Sequence, residues 1–120
     1  MRKKICILED DIDLLQLLEI NCKLRGYDEV YTETDGLRGF NLIKKIQPSI
    51  IILDLGLPNL DGIEVCKLLR KIKKFQKVPI LAFSGRNCSM ETLISVGFND
   101  FIPKPSGINV LVDAIMQWLA

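Results

Sequence analysis

Residues 50–62 read IIILDLGLPNLDG, and this stretch decides the fold. The run from Ile50 to Leu53 is typical of a strand covered on both faces, as in the middle of a parallel sheet. It leads directly into Asp54, and a loop rich in Gly, Pro and Asn follows. Open α/β sheets place their ligands beyond the carboxyl ends of the strands. Asp54 is therefore predicted to lie at the mouth of a crevice.

The rest of the chain alternates strand patterns with helical patterns. The predicted strands are 4–8, 30–32, 50–54, 78–83 and 98–102, and the predicted helices are 11–25, 35–46, 62–74, 89–96 and 108–119. The connections between strands are too long for hairpins, which indicates parallel βαβ units with right-handed crossovers. We therefore predict an α/β fold, a doubly wound three-layer (βα)5 arrangement around a five-stranded parallel sheet.

The first predicted helix carries two apolar stripes. One comprises Leu14, Leu15, Leu18 and Cys22, and the other comprises Leu17, Ile20 and Leu24. Both stripes cannot face one sheet, because they lie on different sides of the helix. Either the second stripe packs against a neighbouring helix, which we favour, or it docks a helix of a partner protein.

Length and charge limit the function classes. We expect residues 1–120 to form one domain with its own hydrophobic core. The 16 Lys and Arg against 15 Asp and Glu give a net charge of +1. This balance gives no reason to expect nucleic acid or a membrane as a direct partner. The basic cluster within residues 67–77 is interpreted as a solvated outer face.

The chain contains four scattered cysteines and no histidine. No C-x-x-C pair is present, so buried reduced thiols and a cytoplasmic location are predicted. The absence of histidine excludes Ser-His and Cys-His catalysis and an imidazole metal ligand within this chain.

Side chains with useful chemistry collect at the carboxyl ends of four predicted strands. They are Glu9 and Asp10 after the first, Asp54 after the third, Ser84 after the fourth and Lys104 after the fifth. Three neighbouring carboxylates repel one another unless they take up protons or bind a cation. A set of oxygen ligands suits Mg²⁺ best, with Mn²⁺ as an alternative.

Such a site can support phosphoryl transfer. A carboxylate can attack phosphorus and become an aspartyl-phosphate if the phosphoryl charge is offset by a cation, by Lys104 and by the Ser84 hydroxyl. No P-loop or Gly-rich nucleotide fingerprint is present, so ATP is not the expected donor.

Four segments in this order resemble the receiver domain of two-component response regulators. They are ILEDD at residues 7–11, DLGLPNLDG at 54–62, FSG at 83–85 and FIPKP at 101–105. The resemblance covers the whole chain and implies a flavodoxin-like fold with strand order 2-1-3-4-5. It also implies a sensor histidine kinase or a histidine phosphotransfer protein as the partner that donates the phosphoryl group.

The resemblance also implies residue roles. Asp54 matches the phosphoacceptor, Asp10 the direct metal ligand, Glu9 its neighbouring acid, Gly56 the metal-binding backbone carbonyl, Ser84 the switch hydroxyl, Lys104 the lysine that pairs with the phosphoryl group, and Phe101 the aromatic switch. A cis peptide is implied between Lys104 and Pro105.

The sequence departs from the family pattern in two places. The segment from Ser84 to Gly97 is about two residues shorter than expected, which leaves the output surface undefined. In addition, Gly56 offers no side chain near the phosphoryl group, while Arg86 lies two residues beyond Ser84. We expect Gly56 to leave the phosphoryl group open and Arg86 to shield it or pair with it.

The resemblance implies a switch with slow self-dephosphorylation, not a metabolic enzyme. A haloacid-dehalogenase-like phosphatase would need a second Asp where Gly56 stands, which argues against that class. A pseudo-receiver that binds proteins without taking phosphate remains the alternative.

Overall fold

The computed structural model describes residues 2–104 and 107–120. The strands are β1 (Lys4–Leu8), β2 (Glu29–Glu33), β3 (Ile50–Leu53), β4 (Ile80–Ser84) and β5 (Asp100–Pro103). The helices are α1 (Ile12–Leu24), α2 (Gly36–Ile46), α3 (Gly62–Arg70), α4 (Met90–Val96) and α5 (Ile108–Leu119). All strand pairs are parallel, in the order β2-β1-β3-β4-β5. The predicted doubly wound, flavodoxin-like fold is confirmed.

Strand β3 lies at the centre of the sheet, and all four of its residues are buried. Ile51 and Leu53 face the core formed with α2, α3 and α4, whereas Ile50 and Ile52 face the core formed with α1 and α5. Successive strand residues point to opposite faces, so a strand covered on both sides needs apolar residues throughout. This explains the unbroken apolar run before Asp54.

Four helices begin at a polar residue whose side chain accepts a backbone hydrogen bond. Asp11 caps α1, Asp35 caps α2, Asp61 caps α3 and Ser89 caps α4. Each cap satisfies an amide that the first helical turn leaves without a partner. Three of these caps are carboxylates, which also interact favourably with the positive end of the helix dipole.

Three predicted boundaries are wrong by two residues or more. Strand β4 begins at Ile80 rather than Val78, because the Val78 N–H donates to the Phe75 carbonyl and the Val78 carbonyl accepts from Arg70. Helix α3 ends at Arg70 rather than Lys74, because Ile72 is extended and a 3₁₀ turn at Lys73–Phe75 brings the Phe75 ring into the core. Strand β5 begins at Asp100 rather than Phe98. Phe98 is buried in the preceding turn, and the Asn99 amide N–H donates to the carbonyl of Ile80 at 2.8 Å.

The second stripe of α1 stays exposed. Helix α5 does pack against α1, but Leu17, Ile20 and Leu24 are 47%, 53% and 79% exposed. The favoured interpretation, in which a neighbouring helix covers this stripe, is therefore wrong.

Arg70 is an exception within the basic cluster, because it is half-buried and hydrogen-bonded. Its guanidinium donates to the carbonyls of Phe75, Val78 and Gly97 at 2.6, 2.8 and 2.9 Å. It also donates to Asn99 Oδ1 at 2.9 Å. Arg70 thus joins the end of α3 to the segments that enter β4 and β5.

Charge is unevenly distributed over the molecule. Residues 36–53 and 65–90 contain no Asp or Glu but hold ten of the sixteen Lys and Arg. Most of these cations lie near the carboxyl ends of α2 and α3, which return to the amino edge of the sheet. The opposite edge carries Glu9, Asp10 and Asp54 together with the acidic helix caps.

The four cysteines are free thiols; three are buried, and Cys88 is half-buried. Burial raises the pKa of Cys6 to about 12 and the pKa values of Cys22 and Cys66 to about 11. None of the helices in the described part of the chain has both the length and the hydropathy needed to cross a membrane.

Candidate functional site

Three carboxylates meet at the carboxyl edge of the sheet. Glu9 and Asp10 follow β1, and Asp54 follows its neighbour β3. One oxygen from each residue lies within 4.8 Å of the other two. Glu9 and Asp54 are buried, whereas Asp10 is exposed. The predicted acidic cluster therefore exists and opens to solvent on the Asp10 side.

Lys104 places a cation beside this cluster. Its Nζ lies 2.5 Å from Glu9 Oε1 and 3.5 Å from Asp54 Oδ2. The Lys104 backbone N–H donates to the carbonyl of Ser84 at 2.9 Å, which fixes the chain just beyond β5. The sequence places Lys104 at this edge, but it gives no signal for the close pairing with Glu9.

The electrostatics of the three residues differ. Burial raises the pKa of Glu9 to about 7, although the hydrogen bond from Lys104 opposes this shift. Burial also raises the pKa of Asp54, but the hydrogen bond from Gly56 and the Lys104 charge outweigh it and leave that pKa below its usual value. Burial lowers the pKa of Lys104, but its pairing with Glu9 and then Asp54 leaves it raised. The hydrogen bond from Gly56 and the Lys104 charge thus favour the ionised form of Asp54.

The backbone around Asp54 is tightly held. The Asp54 N–H donates to the carbonyl of Leu8 at 2.9 Å, and the Gly56 N–H donates to Asp54 Oδ1 at 3.2 Å. Helix α3 begins directly against this segment, because a Cβ on Gly62 would lie 2.3 Å from the Asp54 carbonyl oxygen. Only glycine permits that approach.

Ser84 and Phe101 lie on one face of neighbouring strands. Phe101 pairs with Ala82 in the β4–β5 register, and Ser84 lies two residues beyond Ala82. The Ser84 hydroxyl is buried and accepts a hydrogen bond from the Arg86 N–H at 3.0 Å. Phe101 is half-buried against the core. The implied cis peptide to Pro105 lies outside the described residues.

Arg86 reaches over Gly56. A Cβ on Gly56 would lie 3.9 Å from a terminal nitrogen of the Arg86 guanidinium, and Gly56 itself is exposed. The two residues that the sequence singles out at the rim of the site are therefore neighbours in space.

A family model described as the response regulator receiver domain matches residues 5–116. The chain belongs to this family. It is therefore a receiver domain of two-component signalling, and its acidic cluster lies at the carboxyl edge of the sheet, where Asp54 follows β3.

Solved structures share the fold of this receiver domain along nearly its whole length. A DNA-binding response regulator of the LuxR family from Staphylococcus aureus is 25% identical, with a TM-score of 0.87 and coverage of 98% of this chain and 99% of that one. The chemotaxis protein CheY4 of Vibrio cholerae is 24% identical, with a TM-score of 0.87 and 98% coverage of both chains.

A third similar structure is the receiver domain of a sensor histidine kinase from Pseudomonas aeruginosa, which has a magnesium ion coordinated in its active-site cleft. It is 23% identical, with a TM-score of 0.86 and coverage of 99% of this chain and 98% of that one. Receiver domains of similar fold thus occur both in response regulators and within histidine kinases.

Proposed function

We propose that this receiver domain is a switch that accepts a phosphoryl group at Asp54 in a Mg²⁺-dependent reaction. The observation that carries the proposal is the clustering of Glu9, Asp10 and Asp54 beside the Lys104 ammonium. The donor is the phosphohistidine of a sensor histidine kinase or of a histidine phosphotransfer protein, in keeping with the two-component family.

The donor set fits a divalent cation. Glu9, Asp10 and Asp54 offer carboxylate oxygens close enough to share one ion, and hard oxygen ligands suit Mg²⁺ or Mn²⁺. The Gly56 carbonyl is proposed as a further ligand. When bound, the ion would offset the negative charge of the phosphoryl oxygens. The magnesium-bound receiver domain from Pseudomonas aeruginosa supports this assignment by its similar fold.

The chain supplies the remaining chemistry. An Asp54 carboxylate oxygen attacks phosphorus, a P–O bond forms, and the P–N bond to the donor imidazole breaks, so that the electron pair leaves with the imidazole nitrogen. Lys104 lies beside Asp54 and offsets phosphoryl charge, while Ser84 offers a hydroxyl donor. Positioning and charge, rather than proton abstraction, lower the barrier.

Phosphorylation then changes the surface. The phosphoryl group adds charge and acceptor oxygens at Asp54. The Ser84 hydroxyl leaves its contact with the Arg86 N–H to reach these oxygens, which frees space for Phe101 to turn inward. The shared face of Ser84 and Phe101 supports this route. The readout is a changed surface around α4 and β5, not turnover of a metabolite, and we place the protein in the cytoplasm.

Intact-mass spectrometry with acetyl phosphate and Mg²⁺ tests the proposal. We expect the parent to gain the mass of one phosphoryl group, and Asp54→Asn to gain none. The control Asp28→Asn makes the same chemical change at an exposed residue away from the site and should behave like the parent. No mass gain in the parent, or equal gain in Asp54→Asn, would favour the pseudo-receiver scaffold.

We further propose that the exposed α1 stripe, Leu17, Ile20 and Leu24, docks a helix of the phosphohistidine donor. The amino-terminal end of α1 lies at the acidic edge, because the backbone N–H of its cap Asp11 donates to Glu9 Oε2 at 3.0 Å, so a partner helix that runs along the whole of α1 reaches that edge. Three large exposed apolar side chains on one helix face fit a helix-to-helix contact.

Substitution on this stripe distinguishes binding of the donor protein from phosphorylation of Asp54 itself. Ile20→Asp should slow transfer from any phosphorylated histidine kinase that phosphorylates the parent, but it should leave phosphorylation by acetyl phosphate unchanged. Ile94→Asp is a matched control, because Ile94 on α4 is 57% exposed and Ile20 is 53% exposed. Equal transfer rates for the two variants would contradict docking on α1.

A further inference from the structure

The loop after Asp54 is tied to the start of a different helix. Asp35 uses one carboxylate oxygen to cap α2, accepting from the Arg38 N–H at 2.9 Å. Its other oxygen accepts a hydrogen bond from the Asn59 side-chain amide. We name this second contact the Asp35–Asn59 bridge. It connects the β2–α2 junction to the loop between β3 and α3.

The backbone reinforces the Asp35–Asn59 bridge. The Gly36 N–H donates to the Pro58 carbonyl at 3.1 Å. A Cβ on Gly36 would lie only 1.6 Å from the Leu60 carbonyl oxygen, so this approach requires glycine. Asn59 has a φ of 67°, a left-handed conformation that Asn tolerates better than most residues. The loop is therefore shaped to fit the start of α2.

The same loop begins at the site. The Gly56 N–H contacts Asp54 Oδ1, and the Gly62 N–H closes the loop on the Leu55 carbonyl at 3.0 Å. Residues 55–62 thus run from the acceptor carboxylate, past α2, to the start of α3. A loop held at its middle by a neighbouring helix has fewer conformations available to its first residues.

We propose that Asp35 and Asn59 are positioning residues for the phosphoacceptor site. The Asp35–Asn59 bridge fixes the loop so that the Gly56 peptide keeps its orientation toward Asp54 and the metal-binding carboxylates. This role rests on the proposed function. Asp35 and Asn59 act through the loop backbone, as residues behind the ligands of a metal site commonly do.

A reciprocal exchange of the two side chains tests the role. Asp35→Asn keeps a good helix cap, but its Nδ2 then faces Asn59, whose side-chain amide must turn over to accept from it. Asn59→Asp instead places two carboxylates against each other. The double variant with both substitutions restores one donor and one acceptor. The single variants change net charge in opposite directions, and the double variant leaves it unchanged, so a long-range charge effect cannot imitate the expected pattern.

Calorimetric titration with MgCl₂ is the first readout. We expect Asn59→Asp to weaken Mg²⁺ binding about tenfold, Asp35→Asn to weaken it less, and the double variant to recover most of the loss caused by Asn59→Asp. Arg70→Ala serves as the control for stability, because it removes hydrogen bonds at the opposite end of α3 from the site. It should lower the midpoint of urea unfolding and leave Mg²⁺ affinity unchanged.

Amide hydrogen exchange is the second readout and does not depend on the metal. The amides of Gly36 and Leu60 both donate to the Pro58 carbonyl, so both should exchange faster in Asn59→Asp than in the parent and the double variant. Faster exchange with unchanged Mg²⁺ affinity would reduce the Asp35–Asn59 bridge to a purely structural role. Unchanged exchange would overturn the bridge itself. A parent that binds no Mg²⁺ would instead overturn the proposed function on which this role rests.

Discussion

Among single residues, we expect Gly56 and Arg86 to control how easily water reaches a phosphoryl group on Asp54. Arg86 reaches across the exposed Gly56, so its guanidinium can pair with a phosphoryl group on Asp54 and shield it from water. We expect Arg86→Ala to shorten the lifetime of the phosphorylated form about threefold to tenfold. Decay of the phosphorylated mass after removal of acetyl phosphate measures this lifetime.

Gly56→Asn tests the Gly56 side of the contact between Gly56 and Arg86. An amide side chain at residue 56 enters the space beneath Arg86 and adds hydrogen-bonding groups beside the phosphoryl group, so the lifetime should differ from that of the parent. Arg38→Ala is the control, because Arg38 contacts Glu33 on the far side of β1 from Asp54. Unchanged lifetimes in both Arg86→Ala and Gly56→Asn would contradict shielding.

Asp35 should contribute to acid sensitivity. The hydrogen bonds from the Arg38 N–H and then the Asn59 amide lower the pKa of Asp35 below its ordinary value of 3.8. A carboxyl whose pKa is lower in the folded state stabilises the fold above its unfolded pKa, and this contribution is lost as pH falls through the folded pKa. Urea unfolding below about pH 4 should therefore show a shallower loss of stability in Asp35→Asn than in the parent. Equal slopes would contradict this role.

At the scale of elements, Arg70 holds three segments together. Its guanidinium bonds the carbonyls of Phe75, Val78 and Gly97. Arg70→Ala removes these bonds and deprives the half-buried carbonyls of Val78 and Gly97 of this donor, so the free energy of unfolding should fall by about 2–4 kcal/mol. Lys71→Ala, at an exposed neighbour, should change it by less than about 0.5 kcal/mol. Urea denaturation measures both, and equal effects would show that Arg70 acts only as a surface charge.

The sequence predicts each element of the fold, because strand and helix periodicities differ and polar caps mark where helices start. The boundary errors at α3, β4 and β5 arise where tertiary contacts override local patterns. Phe75 is drawn into the core just after the segment that the pattern assigns to a helix, and Phe98 is drawn in from the segment that it assigns to a strand. The sequence also gives no sign that Arg70 is half-buried, because it lies in the same basic cluster as Lys67, Lys71 and Lys73.

The same limit applies to the candidate site. The acids and Lys104 could be placed at one edge because parallel strands end together. The pairing of Lys104 with Glu9 and the bridge from Asp35 to Asn59 could not be predicted. Each joins residues that are distant in sequence, and side-chain directions decide both contacts.

Across the whole molecule, positive and negative charges lie at opposite ends, so the protein should bind to charged surfaces more strongly than its net charge of +1 suggests. The Lys- and Arg-rich end of the molecule, at the amino edge of the sheet, should bind a cation-exchange resin at pH 7. A resin responds to the charge within about a Debye length of its surface rather than to the net charge of the whole protein. Lys73, Lys74 and Lys77 are exposed at this end. Replacing all three by Gln should lower the salt concentration needed for elution.

A control with the same change in net charge compares these three lysines with cations that are paired to acids. Lys23, Arg25 and Arg38 each pair with an acid on the chain, namely Glu19, Asp113 and Glu33. Replacing these three by Gln should shift elution less than the first triple substitution. Equal shifts would indicate that only the total charge matters.

The burial of β3 on both faces should also slow the exchange of its amide hydrogens. A strand at the centre of the sheet, covered by two layers of helices, exchanges its amide hydrogens only when the whole domain unfolds. The segment from Gly85 to Asn87 is exposed, so we expect its amides to exchange through local opening. The amide exchange rate of β3 should therefore equal the rate set by global unfolding. The loop at residues 85–87 should rearrange many times before the domain unfolds once.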